Sequence, residues 1–160
     1  TAVAFSSCDK DDDDDGDTVQ LEGVQGKWFS SGDNIAPLLA NPPFNTDSIF
    51  AEFKTDMTFH VESYDNDGVM TLFTGVYTQQ PSNVGSIWTI NLTQNAPSAG
   101  ASQGIFQVFA NETPNRLLYE ILQTEPALGL TPPTPEGGFG STHGGAFGNT
   151  NIQTFLRITE

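Results

Sequence analysis

Downstream of Gly23 the chain alternates apolar and polar residues in short runs separated by turn-forming residues, the pattern of an all-β sandwich or barrel. The run GVQGKWFSS at residues 23–31 sets Val24, Gly26 and Trp28 on one side of a first strand. IAPLLANPP at residues 35–43 accommodates one or two helical turns and stops on paired prolines. Strands are next expected at 48–54 and 57–64, with Phe50, Phe59 and Val61 facing inward. A strand at 69–79 follows an Asp-Gly turn, a strong hairpin signal because glycine accepts positive φ. Further strands are expected at 86–94, 104–110, 116–123 and 151–159, with an Ala/Ser/Gly loop at 95–103. In the last strand Phe155 and Arg157 share one face, and Thr154 and Leu156 the other. About eight strands joined mainly by short turns predict an all-β antiparallel meander. Its two candidate forms are an up-and-down barrel, which leaves no exposed edge, and a two-layer β-sandwich.

Residues 124–149 interrupt this rhythm with a proline-rich half followed by a glycine-rich half, in which Phe139 and Phe147 are the large side chains. Loops beyond about 15 residues are uncommon in compact domains and are usually functional or disordered. The segment is therefore expected to fold as a flap over one end of the domain.

Gly26-Lys27-Trp28 at the head of the first strand, followed by a short helical segment and a meander, resembles the N-terminal signature of the lipocalin-like (calycin) barrels. That resemblance implies a barrel whose base is closed by Trp28, with Arg157 from the last strand over the indole, a favourable cation–π arrangement. The roles it assigns to Gly26, Trp28 and Arg157 are structural. The long 124–149 segment departs from the family pattern.

The 160 residues suit one domain, expected over 23–160. Hydrophobic residues make up 36% and charged residues 16%, beside twelve Phe, sixteen Gly and ten Pro, which favours strands over helices. The formal net charge is −15. Residues 9–17 hold seven Asp against Lys10, and beyond Gly23 twelve acidic residues face only Lys27, Lys54, Arg116 and Arg157. Nucleic acid is thereby excluded as a partner, since phosphate binding needs clustered basic residues. No run approaches the roughly 20 apolar residues that cross a bilayer as a helix.

Cys8 is the single cysteine, which leaves a free thiol, an intermolecular bridge, a nucleophile or a modified residue. Seven nearby aspartates would raise its thiol pKa, the reverse of what a nucleophile needs. The chain opens on Thr1, and residues 1–7 read as the remnant of an apolar signal segment, with cleavage expected before Cys8. FSSC at residues 5–8 resembles the lipobox of Bacteroidetes-type surface lipoproteins, and CDKDDDDDG resembles the acidic export signal of the same class. The resemblance implies diacylation of the Cys8 thiol, including by palmitate, and display on the outer face of the outer membrane. Residues 8–22 would then be a lipidated tether: its repelling charges cannot fold, and residues 9–23 reach about 50 Å at about 3.3 Å per residue. Asp17-Thr18-Val19 and Asp47-Ser48-Ile49 also match the O-glycosylation triplet of that class.

Candidate chemistry is sparse. His60 and His143 are far apart in sequence and lack the converging partners of a metal site. Asp65, Asn66 and Asp67 alternate oxygen ligands, but the following Gly68 makes them a hairpin turn first. Glu52, Glu62 and Glu120 sit in strands with nothing to pair two of them across a cleft. No phosphate loop, dinucleotide fingerprint or nucleophile elbow occurs. Neither a cofactor nor an enzymatic activity is expected. Tyr77, Trp88, Tyr119, Phe139 and Phe147 are the expected contacts for a small apolar or amphipathic ligand inside the barrel, with 124–149 as lid. The competing expectation is an accessory subunit docked on an outer-membrane transporter or secretion complex. The first requires a cavity of several hundred Å³, the second a filled core and an exposed apolar patch.

Overall fold

A computed structural model describes residues 19–159. The expected lipidation at Cys8 and the acidic run lie outside the described residues. The chain forms β1 (Gly26–Ser31), β2 (Thr46–Phe53), β3 (Thr58–Asp65), β4 (Met70–Val84), β5 (Ile87–Ala96), β6 (Gly100–Phe109), β7 (Arg116–Glu125) and β8 (Gln153–Arg157), with a 3₁₀ turn (Gly32–Asn34) and one α-helical turn, α1 (Pro37–Ala40), between β1 and β2. The eight strands pair antiparallel in chain order and close into a barrel. Closure runs through β1 and β8, with Trp28 opposite Arg157 and Phe29 opposite Leu156. The barrel is therefore the form adopted, and not the sandwich.

Period-two alternation sets the core. Trp28, Ile49, Ala51, Phe53, Phe59, Tyr77, Ile90, Leu92, Phe106, Leu117, Tyr119 and Phe155 are buried and fill the interior from every strand. Gly75 stands opposite Phe59, and a Cβ there would overlap the Thr93 carbonyl and the Phe59 ring. Its missing side chain makes room for that aromatic.

One end, here called the base, is sealed by the residues of the Gly-x-Trp signature. The Arg157 guanidinium lies 4.1 Å from the Trp28 ring centroid and donates to the Gln25 carbonyl at 2.9 Å. Trp28 Nε1 donates to the Val24 carbonyl at 2.7 Å. Gly26 adopts φ +118°, and a Cβ there would overlap Arg157 Nη1, so the first glycine is required by both backbone and space. Gln79 fastens the incoming chain: its Oε1 accepts from Val24 N–H at 2.9 Å and its Nε2 donates to the Glu22 carbonyl at 3.0 Å.

Three expectations are corrected. Phe50 points outward, half-buried, and meets the His60 ring edge-on at 6.4 Å. In this run Ile49, Ala51 and Phe53 share one parity and Phe50 the other, and the parity with more apolar residues takes the core. Residues 100–103, expected as loop, open β6 and pair with β5 and β7. At Gly100 a Cβ would lie 2.8 Å from the Glu125 carbonyl oxygen, so the small residue is what lets β7 approach.

The third correction concerns the insert, which begins after Glu125 and runs to β8 through two 3₁₀ turns, Thr142–Gly145 and Gly148–Asn151. Its glycine-rich half lies against the outer wall, while Leu128 and Asn151 reach the lining at one end of the barrel. Glu120 points outward, since its neighbour Tyr119 points in, yet it is fully buried, as is its outward cross-strand neighbour Ile105. The Glu120 carboxylate accepts from Gly140 N–H at 2.8 Å, Thr142 N–H at 3.3 Å and Thr142 Oγ1 at 2.7 Å. A buried carboxylate on the barrel wall thus anchors the glycine-rich half of the insert.

Candidate functional site

The end opposite the base opens into a cavity of about 420 Å³. Its floor is aromatic, made by Phe53, Phe59, Tyr119 and Phe155, and its walls are Ile49, Ala51, Val61, Phe73, Leu92 and Ile121. Phe53 and Phe155 flank Tyr119 with centroid separations of 6.1 and 6.0 Å, within the favourable range for ring pairs. Toward the mouth the lining becomes polar but stays uncharged, with Thr46, Ser63, Gln94, Ser102, Gln123, Asn151 and Gln153. No Asp, Glu, His, Lys or Arg occurs among its described lining residues.

The mouth is overhung by the β1–β2 connection. Leu38, Leu39 and Phe44 from this segment line the cavity, and Leu38 and Phe44 are also exposed on the rim. Gln153 ties the connection down: its Oε1 accepts from Ala36 N–H at 2.8 Å, and its Nε2 donates to the Asn34 carbonyl at 3.1 Å and to Ser30 Oγ. From the insert only Leu128 and Asn151 reach the lining. Asn151 Nδ2 donates to the Ile121 carbonyl at 3.0 Å and to Thr142 Oγ1 at 3.2 Å, linking the rim to the Glu120 anchor.

Of the five aromatics expected at the ligand, Tyr119 alone lines the cavity. Tyr77 is buried inside the barrel but toward the base, where its hydroxyl donates to the Lys54 carbonyl at 2.8 Å and its ring meets Phe53 edge-on at 5.3 Å. Trp88 is half-buried against Phe106 at 5.7 Å and lines a separate open recess at the base with Leu21, Val108 and Arg157. Phe139 and Phe147 are half-buried within the insert and do not line the cavity. What sequence reasoning missed is the phenylalanine floor. Inward parity marks Phe53, Phe59 and Phe155, but parity does not say how high along the barrel a residue stands.

The polar groups outside the cavity have local roles. On the outer face of β3, His60 Nε2 lies 2.8 Å from Glu62 Oε1, and the Tyr64 hydroxyl donates to Glu62 Oε2 at 2.7 Å. These two bonds hold the Glu62 carboxyl below its ordinary pKa, and the second raises that of Tyr64. Asp65 Oδ1 accepts from Asp67 and Val69 N–H, each at 2.9 Å, so the Asp-Asn-Asp-Gly run is a self-capped turn. Among the described residues no three His, Cys, Asp or Glu side chains converge as a metal centre. No family model, no curated protein and no solved structure matches the chain.

Proposed function

We propose that this protein is a non-enzymatic binding module for a small apolar or amphipathic molecule, carried by a surface-exposed outer-membrane lipoprotein anchored through Cys8. The observation that carries the reading is the 420 Å³ cavity with an aromatic floor and an open mouth, a volume within the range of small-molecule pockets. No Asp, Glu, His, Lys or Arg stands among the described lining residues, in keeping with retention of an uncharged ligand. The bonds from Gln79 to Glu22 and Val24 bring the chain in at the base. A tether from Cys8 therefore meets the domain at the end away from the mouth.

A second reading, docking on an outer-membrane protein complex, draws on one feature of the outer wall. Leu156, Phe29, Phe50, Glu62 and Leu72 are successive cross-strand neighbours in one row over β8, β1, β2, β3 and β4, and Phe29 is 41% exposed. Native mass spectrometry of the protein extracted in mild detergent from its own membranes separates the two. A lipidated Cys8 with a bound small molecule is the expected result. A stoichiometric protein partner with no small molecule would replace the first reading by the second, and a mature chain lacking Cys8 would remove the lipoprotein.

A further inference from the structure

Three tyrosines occur in the chain, and two have hydroxyl partners: Tyr77 donates to the Lys54 carbonyl and Tyr64 to Glu62. Tyr119, 8% exposed, has ring contacts with Phe53 and Phe155 but no hydrogen bond for its hydroxyl to any described residue. Every fully enclosed side-chain polar atom among the described residues does have a partner. The Tyr119 oxygen is therefore not fully enclosed, and since Tyr119 lines the cavity, the cavity is where that oxygen is reached. Burial alone pushes this phenol above its ordinary pKa, so it stays an O–H donor at neutral pH. An unpartnered donor in an apolar chamber is costly unless something in the chamber accepts from it.

We infer that Tyr119 is a specificity-determining residue that donates a hydrogen bond to an uncharged acceptor oxygen of the ligand, which makes the ligand class neutral apolar molecules bearing a ketone, ester or ether. The inference rests on the binding-module reading and names the chemistry of that same cavity. Neutrality follows from the lining. A carboxylate or phosphate beside Tyr119 would be stripped of water with no cation among the lining residues to balance it, and an unpaired buried charge is strongly disfavoured. An alkane would fill the space but leave the phenol unpartnered. Any second polar group on the ligand belongs at the mouth, beside Ser63, Gln94, Ser102 and Gln123.

The test uses the full chain and three probes of equal carbon number: methyl octyl ketone, n-decane and decanoate, titrated by calorimetry. The ketone is expected to bind about 2- to 10-fold more tightly than decane, the worth of one neutral hydrogen bond, and about 100-fold or more tightly than decanoate. Tyr119→Phe keeps the ring between Phe53 and Phe155 and removes only the donor, so the ketone-to-decane affinity ratio should fall below one, because the bound carbonyl then has no partner. In the infrared, the carbonyl stretch of the bound ketone should be lowered in the wild-type chain, a readout independent of how the variant folds. A wild-type carbonyl band at its apolar-solvent position, a ratio unmoved by Tyr119→Phe, or decanoate binding as tightly as the ketone would overturn this inference while leaving the binding module standing. Failure of all three probes to bind would overturn the module and the inference together.

Discussion

Replacing Glu120 with alanine should detach the insert from the barrel wall. The side chain is fully buried, and its two oxygens take three donors, two of them in short bonds of 2.7 and 2.8 Å and one at 3.3 Å. Hydrogen bonds to charged groups contribute about 1.5 to 3 kcal/mol each. Counting only the two short ones gives roughly 3 to 6 kcal/mol, a large fraction of a typical domain stability of about 5 to 15 kcal/mol. Glu120→Gln keeps an oxygen for Thr142 but turns an N–H₂ toward Gly140 N–H, so about half of that loss is expected. Urea unfolding followed by tryptophan emission reports the barrel, because Trp28 is at its base, and limited proteolysis between residues 126 and 152 reports the insert. At about 3 °C per kcal/mol the alanine variant should melt about 10 °C or more below the parent, with cleavage in the insert preceding barrel unfolding. An alanine variant within about 0.5 kcal/mol of the parent, the range of ordinary surface substitutions, would refute the claim that this carboxylate holds the insert.

Gly26→Ala forces a Cβ into Arg157 Nη1 at a φ of +118°. It should cost about 2 to 4 kcal/mol from backbone strain and the displaced cation–π contact, read as a lower urea midpoint. Ala51→Phe places a ring in the cavity from an inward, buried position; stability should change by less than about 2 kcal/mol, while decane binding measured by calorimetry is lost. The phenols of Tyr77 and Tyr119 are raised above their ordinary value, chiefly by burial. The folded chain thus holds protons that the unfolded chain releases near pH 10. Their contribution is intact below that pH and is lost as pH rises beyond it, so tyrosinate absorbance should appear together with alkaline unfolding. Smooth ionisation of all the tyrosines near pH 10 in the folded chain would contradict it.

How much was legible in the sequence depends on what kind of signal each residue carries. Period-two alternation marked the strands and the direction of most side chains, and the Arg157 guanidinium over the Trp28 ring is the contact that the resemblance carried by Gly26, Trp28 and Arg157 implied. Alternation failed where the apolar signal was absent or doubled. Gly100, Ala101 and Ser102 carry small side chains that read as loop, and at Phe50 the run is apolar in both parities. The anchor of the insert was hidden for a different reason. A glutamate at an outward strand position reads as solvated, and its partners Gly140 and Thr142 are 20 and 22 residues away. The cavity was half legible: Phe59 is inward by parity as expected, but taking Phe50 as inward hid Phe53, and height along the barrel depends on register and shear. That is why Tyr77 and Tyr119, both inward aromatics, ended at different levels.

Strand alternation also separates the two roles open to this domain. Phe50 and Ala51 are consecutive in β2, yet the first stands in the outward row with Phe29 and the second lines the cavity. A pleated strand sends successive side chains to opposite faces, so a change at one position alters the outer row or the cavity without filling or emptying the other. The base and the Glu120 anchor lie apart from both and carry the structural demands, through bonds satisfied within the protein. At the cavity floor the Tyr119 hydroxyl has no hydrogen-bond partner among the described residues. Filling the cavity would take larger side chains at Ala51 or along the wall, changes that cost about 1 to 3 kcal/mol wherever they overpack. Ala51 lines the cavity and Phe29 stands in the outer row, so variants at these two positions test the proposed chamber and the proposed docking wall separately.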